Sequence, residues 1–453
     1  MKSYPELNKY INSKLGDGEI SAGRKFNYIK IFQHALSYSL NNSKRKLLRH
    51  YFHFPKWFQY ILLFIRKVGV KSNSVQLNAL VLMAENRTKT KINGNIVSFY
   101  FDEIIEGVDD ARRTVINSGS IHLQCDYRIN DIAKCRIAPD SQEIKLLWDI
   151  NYVIAKTERS GLFSESELLY LKSCFHVFYD EFRFYYSLFK NQQVKKVIFT
   201  CHYHKEGLLA ALRILGIESV ELQHGLIASN DIYYVYPQQF KSIISGGLFP
   251  DKIGVYGVKW KELLLSGCEF TEDRIDVVGE YFAIGEKEYS FSEKEDLIIV
   301  CSQKNLHSDY LAYLKHLDTQ ISNHPGWKAL VKLHPLEKHR DLYLQHSFQH
   351  IEIGDVNVSL NELFARARIQ ISIYSTTFFD ALGYNVFNMS LQNYGYSMEY
   401  AREILAMGVA LPCQFHDDPV ELYHEVKDSY NVPSRSEFYA KTTLDDLLRW
   451  VNS

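Results

Sequence analysis

The chain has 453 residues, 46% of them hydrophobic and 14% aromatic, with a formal net charge of −1. That length is too great for one core and predicts two domains or three, while the near-neutral balance gives no overall pull towards nucleic acid. Seven scattered cysteines, Cys125, Cys135, Cys174, Cys201, Cys268, Cys301 and Cys413, form no C-x-x-C pair, so neither a disulfide framework nor a zinc ribbon is expected and the compartment reads as reducing.

In chain order, Met1-Lys2-Ser3-Tyr4-Pro5-Glu6 lacks the apolar run of a signal peptide. Charge is unevenly placed: no Asp or Glu stands between Glu19 and Glu85, yet Arg24, Lys25, Lys30, Lys44, Arg45, Lys46, Arg49, Lys56, Arg66, Lys67 and Lys71 do. The spacing predicts helix over 28–66, with Pro55 as a break or a start. Basic residues beside Trp57, Phe58, Tyr60 and Phe64 would suit an anionic membrane surface; another polyanion, or a core helix with a solvated basic face, would also account for them. The uncharged apolar run Trp57–Ile65 is about half of what a bilayer-spanning helix needs. The expectation is a cytoplasmic protein, held peripherally at the inner membrane by residues 20–84, with no nucleic-acid partner.

From Ile96 the pattern changes to short apolar runs, Ile96–Phe101 reading as a strand, followed by a long helix over Glu165–Lys190. Lys195–Thr200 reads as a strand, Glu206–Leu215 as a helix closed by Gly216, and Ser219–Leu222 as a second strand, which makes a parallel pair with a right-handed crossover. Both strands run into histidine-bearing loops, Cys201-His202-Tyr203-His204 and Gln223-His224-Gly225, at the ends where open parallel sheets bind ligands. His202, His204 and His224 would give a zinc site only three ligands. The alternatives are His224 as general base or acceptor-orienting group, exposed by a tight turn at Gly225, or as a structural histidine. Strand Ile253–Tyr256, helix Lys259–Leu265 and strand Arg274–Gly279 follow, and the polar run Glu286–Asp296 marks a domain boundary.

The second α/β unit opens with strand Leu297–Cys301, then Ser302-Gln303-Lys304-Asn305, a helix over Ser308–Ile321 and strand Ala329–Leu333 ending in His334-Pro335. His324-Pro325 precedes its strand and is set aside; His334-Pro335 follows its strand and is kept. After a short strand near Ile351–Ile353 and a helix capped at Ser359 comes the segment 367–383. It reads as a buried strand to Tyr374, the hydroxyls Ser375, Thr376 and Thr377, and a short helix closed by Gly383. Hydroxyls at a helix N-terminus make an anion site or an ordinary cap. The loops at 302–305, 334–335 and 375–377 are expected side by side at one sheet edge.

The order Gln223-His224-Gly225, Ile275-Asp276-Val277-Val278-Gly279, Lys332-Leu333-His334-Pro335, Ser375-Thr376 and Asp380-Ala381-Leu382-Gly383 resembles bacterial capsule and lipopolysaccharide glycosyltransferases of GT-B fold. The similar group includes capsular Kdo transferases and, further off, bacterial sialyltransferases with His-Pro and Ser/Thr motifs. The resemblance spans about residues 195–410. It implies that His334, with Pro335, meets the donor phosphate or nucleotide, that Ser375 and Thr376 hydrogen-bond the phosphate, and that Asp380 takes the place where the family often has a glutamate near the ribose. The sequence departs from the pattern at Asp380 and at Asn385, where a proline is common.

Metal-held diphosphate enzymes usually carry two Asp one residue apart, a spacing this chain lacks. A metal-independent enzyme with no cofactor is expected, in which Gln303, Lys304, His334, Ser375, Thr376 and Thr377 neutralise the leaving phosphate. No P-loop or dinucleotide fingerprint is present. The expected architecture is α/β: a helical basic segment over 1–95, and two doubly wound Rossmann-like domains, an acceptor domain over 96–285 and a donor domain over 286–453, with the active site in the cleft between them. The reaction moves a sugar from a nucleotide-activated donor, CMP-linked Kdo or sialic acid favoured and a UDP-sugar next, to a cell-surface glycan or glycolipid acceptor. The acceptor would meet Gln223, Gly225, His202 and His204, and the base would be His224, then Glu206 or Asp231. A CDP-polyol phosphotransferase and a non-catalytic scaffold subunit of a glycan-assembly complex are the alternatives.

Overall fold

The computed structural model describes residues 4–15, 21, 23, 26–41, 75–84, 89–92, 95–98, 101–117, 125–128, 139–229, 231, 233–236, 247–267, 269–279, 294–303, 306–334, 337, 339–354, 358–392, 398–431 and 433–453. The chain divides into two compact units, Met1–Phe282 with Ala440–Ser453, and Ala283–Tyr439.

The first unit is built on strands β1 (Leu80–Ala84), β4 (Arg113–Asn117), β5 (Tyr127–Arg128), β6 (Lys196–Thr200), β7 (Glu218–Leu222), β8 (Lys252–Val255) and β9 (Ile275–Val277). They form one sheet in the order β5-β4-β1-β6-β7-β8-β9, every neighbouring pair parallel. The order runs outward from β1 and then reverses at β6, so the switch point lies between β1 and β6. The expected strand at Ile96 is not part of this sheet. Strands β2 (Lys89–Ile92) and β3 (Asn95–Ser98) pair with each other in an antiparallel ribbon, and the sheet begins earlier, at Leu80. Leu80-Val81-Leu82-Met83-Ala84 is buried throughout, the mark of a strand covered on both faces.

Local chemistry sets the long helices. Asp140 with Glu143, and Ser164 with Glu167, close capping boxes at the starts of helices Ser141–Ser160 and Glu165–Phe189. Gly216, at φ +68°, ends helix Glu206–Leu215. That helix lies so close to Glu165–Phe189 that a Cβ on Gly207 would stand 2.5 Å from the Phe182 backbone nitrogen.

Helix Ile29–Asn41 is a core element and not a basic surface helix. Ile29, Ile31, Phe32, Ala35 and Leu36 are buried in the same core as Phe175 and Phe178, and the rings of Tyr28 and Phe175 meet edge to face at 5.3 Å. Even Lys30 is only 1% exposed, its Nζ lying 3.9 Å from the centre of the Phe249 ring. The positive charges from Lys44 to Lys71 lie outside the described residues. Among the described residues no helix is long and apolar enough to cross a membrane.

The second unit carries β10 (Leu297–Cys301), β11 (Lys328–Lys332), β12 (Ile351–Ile353), β13 (Ile369–Ser372), β14 (Phe387–Leu391) and β15 (Leu411–Cys413). Their order is β12-β11-β10-β13-β14-β15, again all parallel, with the switch point between β10 and β13. Helix Thr377–Ala381 runs on into a 3-10 turn, Leu382–Tyr384. Gly383 does not close it: Asn385 is the left-handed residue, at φ +51°, a conformation proline cannot adopt. Gly383 instead leaves room for Arg435, whose Cδ would stand 2.8 Å from an added Cβ.

One buried ion pair tests the first unit's packing. Arg183 Nε donates to Glu143 Oε1 at 2.6 Å, both side chains almost fully buried. Glu143→Ala is expected to cost about 3–5 kcal/mol in urea unfolding, because it strands a buried guanidinium, and a Glu143→Leu/Arg183→Met double variant to recover most of that loss.

Candidate functional site

The carboxyl edge of the first sheet is built around a charge. Glu221, the penultimate residue of β7, is fully buried, and its carboxylate gathers the surrounding groups. His202 Nδ1 donates to Oε2, Tyr234 Oη–H donates to Oε1 at 2.5 Å, and His224 Nδ1 lies 4.0 Å from Oε1. Burial pushes the Glu221 carboxyl up, but His202, His224 and the Tyr234 hydroxyl outweigh it and hold it down at about 2. His202 also places Nε2 2.9 Å from the Tyr233 carbonyl. Burial pushes the His202 imidazole below its ordinary value and outweighs the opposing pull of Glu221, with Lys30 adding to the downward shift.

His202 reaches Glu221 because the chain doubles back after β6. Cys201 and His204 take left-handed backbone, at φ +60° and +65°, which costs a non-glycine residue about 1–3 kcal/mol. The Lys205 ammonium offsets part of this by donating to the Thr200 and Cys201 carbonyls at 2.8 and 2.7 Å. Tyr203, between the two strained residues, is turned onto His224, its hydroxyl 3.1 Å from Nε2, and its ring stacks on Tyr233.

The expected acceptor and base residues are thus brought to one edge, with unequal access. His224 is partly exposed, its side chain at 15%. His202 is wholly buried and cannot touch a ligand. His204 is exposed and stacks on His34 at 4.2 Å. The buried Gln223 amide is a strut, donating to the Gly225 carbonyl and accepting from the Tyr256 N–H, both at 2.9 Å. Gly225 has open space around its Cβ position and no positive φ, so the turn that presents His224 does not depend on glycine. Asp231 is buried, and burial pushes its carboxyl up to about 7. Glu206 is buried against His34, Nε2 to Oε1 at 2.9 Å; burial pushes its carboxyl up, and His34 with Lys30 overrides this and holds it at about 2, too acidic for an effective base. The three histidines of the zinc reading face Glu221, His34 and Tyr203 respectively and do not converge. The described residues do bring His324, Asp418 and Glu421 within 4.8 Å of one another. They lie at the opposite, amino-terminal edge of the second sheet, where Asp418 Oδ1 already accepts the Val420 and Glu421 N–H groups.

In the second unit the three expected loops are tied together across the switch point. Ser302 Oγ accepts the His334 N–H at 2.9 Å, joining the loops after β10 and β11. Gln303 Oε1 accepts the Tyr374 N–H at 3.1 Å, joining those after β10 and β13. Tyr310 supports both from below, its hydroxyl 3.3 Å from Gln303 Oε1 and 3.2 Å from Ser372 Oγ. Ser375 does not cap the helix alone: Thr377 Oγ1 donates to Ser375 Oγ at 2.9 Å and itself accepts from Gln370 Nε2. Thr376 is exposed and makes no side-chain cap. Asp380 Oδ1 accepts from Tyr439 Oη at 3.1 Å. Lys304 and Pro335 lie outside the described residues.

Sequence reasoning missed Tyr203, Glu221, Tyr234 and Ser302. An acid within a buried strand, as in Ser219-Val220-Glu221-Leu222, was the available signal, because such a charge must have partners. A cavity of about 740 Å³ opens in the first unit between Asn78, Arg112, Lys195 and Glu218, but at the strand starts, away from this chemistry.

No family model matches the chain, and no curated protein matches it. Solved structures do. The S. aureus MnaA–UDP complex is 10% identical over 83% of this chain and 95% of its own, with a TM-score of 0.50. The spinosyn rhamnosyltransferase SpnG is 14% identical over 83% and 100%, with a TM-score of 0.49. UDP-GlcNAc 2-epimerase from Neisseria meningitidis bound to UDP-GlcNAc is 11% identical over 79% and 96%, with a TM-score of 0.43. At this identity the likeness is one of fold: two Rossmann-like α/β units, the components of the GT-B architecture.

Glu181 gives this edge a measurable pH response. Its Oε2 accepts the Gly207 N–H at 2.9 Å; burial, with Glu206 alongside, pushes its carboxyl from 4.5 up to about 8. A raised carboxyl means that the folded chain holds a proton the unfolded chain has lost, so its contribution is full below pH 4.5 and disappears as pH rises through about 8. Glu181→Gln should therefore gain on the parent in urea unfolding free energy as pH rises across this window, by up to roughly 1.4 kcal/mol per pH unit.

Proposed function

We propose that the chain is a metal-independent glycosyltransferase that moves a sugar from a nucleotide-activated donor to a bacterial cell-surface glycan or glycolipid. One observation carries the reading: three polar loops at the carboxyl edge of β10, β11 and β13 are bound to one another across the switch point by Ser302 and Gln303. That is where a doubly wound sheet takes a nucleotide, and the fixed loops would present His334, Ser375 and Thr376 to a leaving phosphate without reorganisation. Lys304 and Pro335 belong to the same loops, and Asp380 would face the ribose. In the first unit His224 is the base, since Glu206 is bound to His34 and Asp231 is buried.

CMP-linked Kdo or sialic acid follows from the motif resemblance, and a UDP-sugar stands beside it because UDP occupies a solved structure of like fold. A thermal-shift screen against CMP-, CDP-, UDP- and GDP-linked sugars selects among them, since a ligand stabilises the folded state in proportion to its affinity. With the selected donor, His334→Ala and Ser375→Ala are expected to lose at least tenfold in nucleotide affinity while melting as the parent does without ligand. Parent-like binding and turnover in both would overturn the donor-site assignment. A phosphodiester product in place of a glycosidic bond would assign the chain to phosphotransfer, and nucleotide binding without turnover on any acceptor would favour the scaffold reading.

Residues 20–84 would hold the enzyme near a membrane-bound acceptor. Because helix Ile29–Asn41 is part of the core, deletion of that segment would unfold the first unit, and charge reversal at Lys44, Arg45 and Lys46 is the cleaner test. It should release the protein from phosphatidylserine-containing vesicles at moderate salt.

A further inference from the structure

When the His224 ring is neutral, the hydrogen bonds around it fix which nitrogen carries the proton. Glu221 is ionised and can only accept, so the Tyr234 hydroxyl proton is committed to Glu221 Oε1, at 2.5 Å. The Tyr234 oxygen can then only accept from His224 Nδ1, 3.4 Å away. A neutral imidazole with its hydrogen on Nδ1 carries its lone pair on Nε2, and the group facing Nε2, at 3.1 Å, is the Tyr203 hydroxyl. The Tyr203 hydroxyl therefore donates to His224. The basic nitrogen points at a phenol and not at the open edge.

We propose that Tyr203 is a catalytic residue, the group that meets the acceptor hydroxyl, and that His224 takes the proton through it, with Tyr234 and Glu221 as positioning residues. This rests on the reading of His224 as the base of a glycosyl transfer. As the acceptor oxygen bonds to the anomeric carbon of the donor, its proton passes to the Tyr203 oxygen and the Tyr203 proton passes to His224 Nε2. The bond from that carbon to the phosphate oxygen breaks, and its electron pair leaves with the nucleotide. The imidazolium so formed keeps its Nδ1–H on Tyr234, backed by the Glu221 charge.

Two further features support the assignment. Tyr203 is held between the two left-handed, non-glycine residues Cys201 and His204, and strain of this kind persists where a side chain must be aimed. It is also partly exposed at the carboxyl end of β6, beside the first unit's switch point. Around the relay the other titratable groups are the buried His202, Asp231, Glu269 and Lys30, together with Tyr233, stacked on Tyr203, and the exposed His204, edge-on to it. Glu269 and Lys30 come from other elements packed against the edge, and among the described residues neither Lys30 Nζ nor the Glu269 oxygens have a hydrogen-bond partner.

The test begins without substrate. In the full chain labelled with ¹⁵N-imidazole histidine, at a pH where His224 is neutral, the His224 signals, assigned by their loss in His224→Gln, are expected to show the Nδ1–H tautomer. Tyr234→Phe should move them towards Nε2–H, the form favoured in water. Nε2–H in the parent, or no change in Tyr234→Phe, overturns the proposal. With the donor selected above, Tyr203→Phe is expected to lose at least tenfold in kcat at unchanged donor KM. Glu221→Gln should move the acid limb of the pH–rate profile to lower pH, because imidazolium loses its counter-charge. If His224→Gln abolishes turnover and Tyr203→Phe matches the parent, His224 is the base and the relay is wrong. If both variants match the parent, the reading of His224 itself fails.

Discussion

The buried charge of Glu221 is the constraint from which the carboxyl edge of the first unit follows. An ionised carboxylate in a strand covered on both faces costs several kcal/mol unless its oxygens are filled, and here His202, Tyr234 and His224 fill or face them. Each is bound by that duty to a particular backbone path. His202 arrives through a turn with two left-handed residues, and Lys205 holds the turn by its carbonyls. Tyr203 and His224 are set against each other as a result.

The second unit repeats the strand order and solves the same problem with neutral groups. Ser302, Gln303, Tyr310, Ser372, Thr377 and Gln370 hold its loops through hydroxyls and amides. Such bonds keep their strength across the physiological pH range, whereas the first unit's edge is a set of coupled carboxylates and imidazoles. One edge is therefore held by neutral hydrogen bonds and the other by buried charges.

Much of the framework was legible in the sequence because parallel strands buried on both faces read as apolar runs ended by glycine or polar clusters. Leu297–Cys301, Glu206–Leu215 and the short strand at Ile351 are found where the pattern puts them, to within a residue or two. The polar loops after β10, β11 and β13 were legible because each follows its own strand. Periodicity failed where tertiary burial overrides composition. Lys30 is basic and in the core, Leu80–Ala84 is a central strand inside a segment read by its charge, and Ile96–Ser98 satisfies its backbone in a local ribbon. The contacts around His224 were invisible for a different reason: Tyr203, Glu221 and Tyr234 come from three separate segments, and nothing in a linear pattern states that they converge.

The return of residues 440–453 to the first unit bears on how the chain is made. Trp450 Nε1 donates to Asp276 at 2.8 Å and Lys196 Nζ to the Val451 carbonyl at 3.2 Å, so helix Leu444–Asn452 completes a sheet whose strands left the ribosome long before it. The second unit is in effect inserted into the first. It can close as soon as it has been synthesised, whereas the unit begun first is finished last. During translation the earlier sheet waits with β6 and β9 uncovered at that helix's seat, and the time it waits is set by the length of the inserted unit.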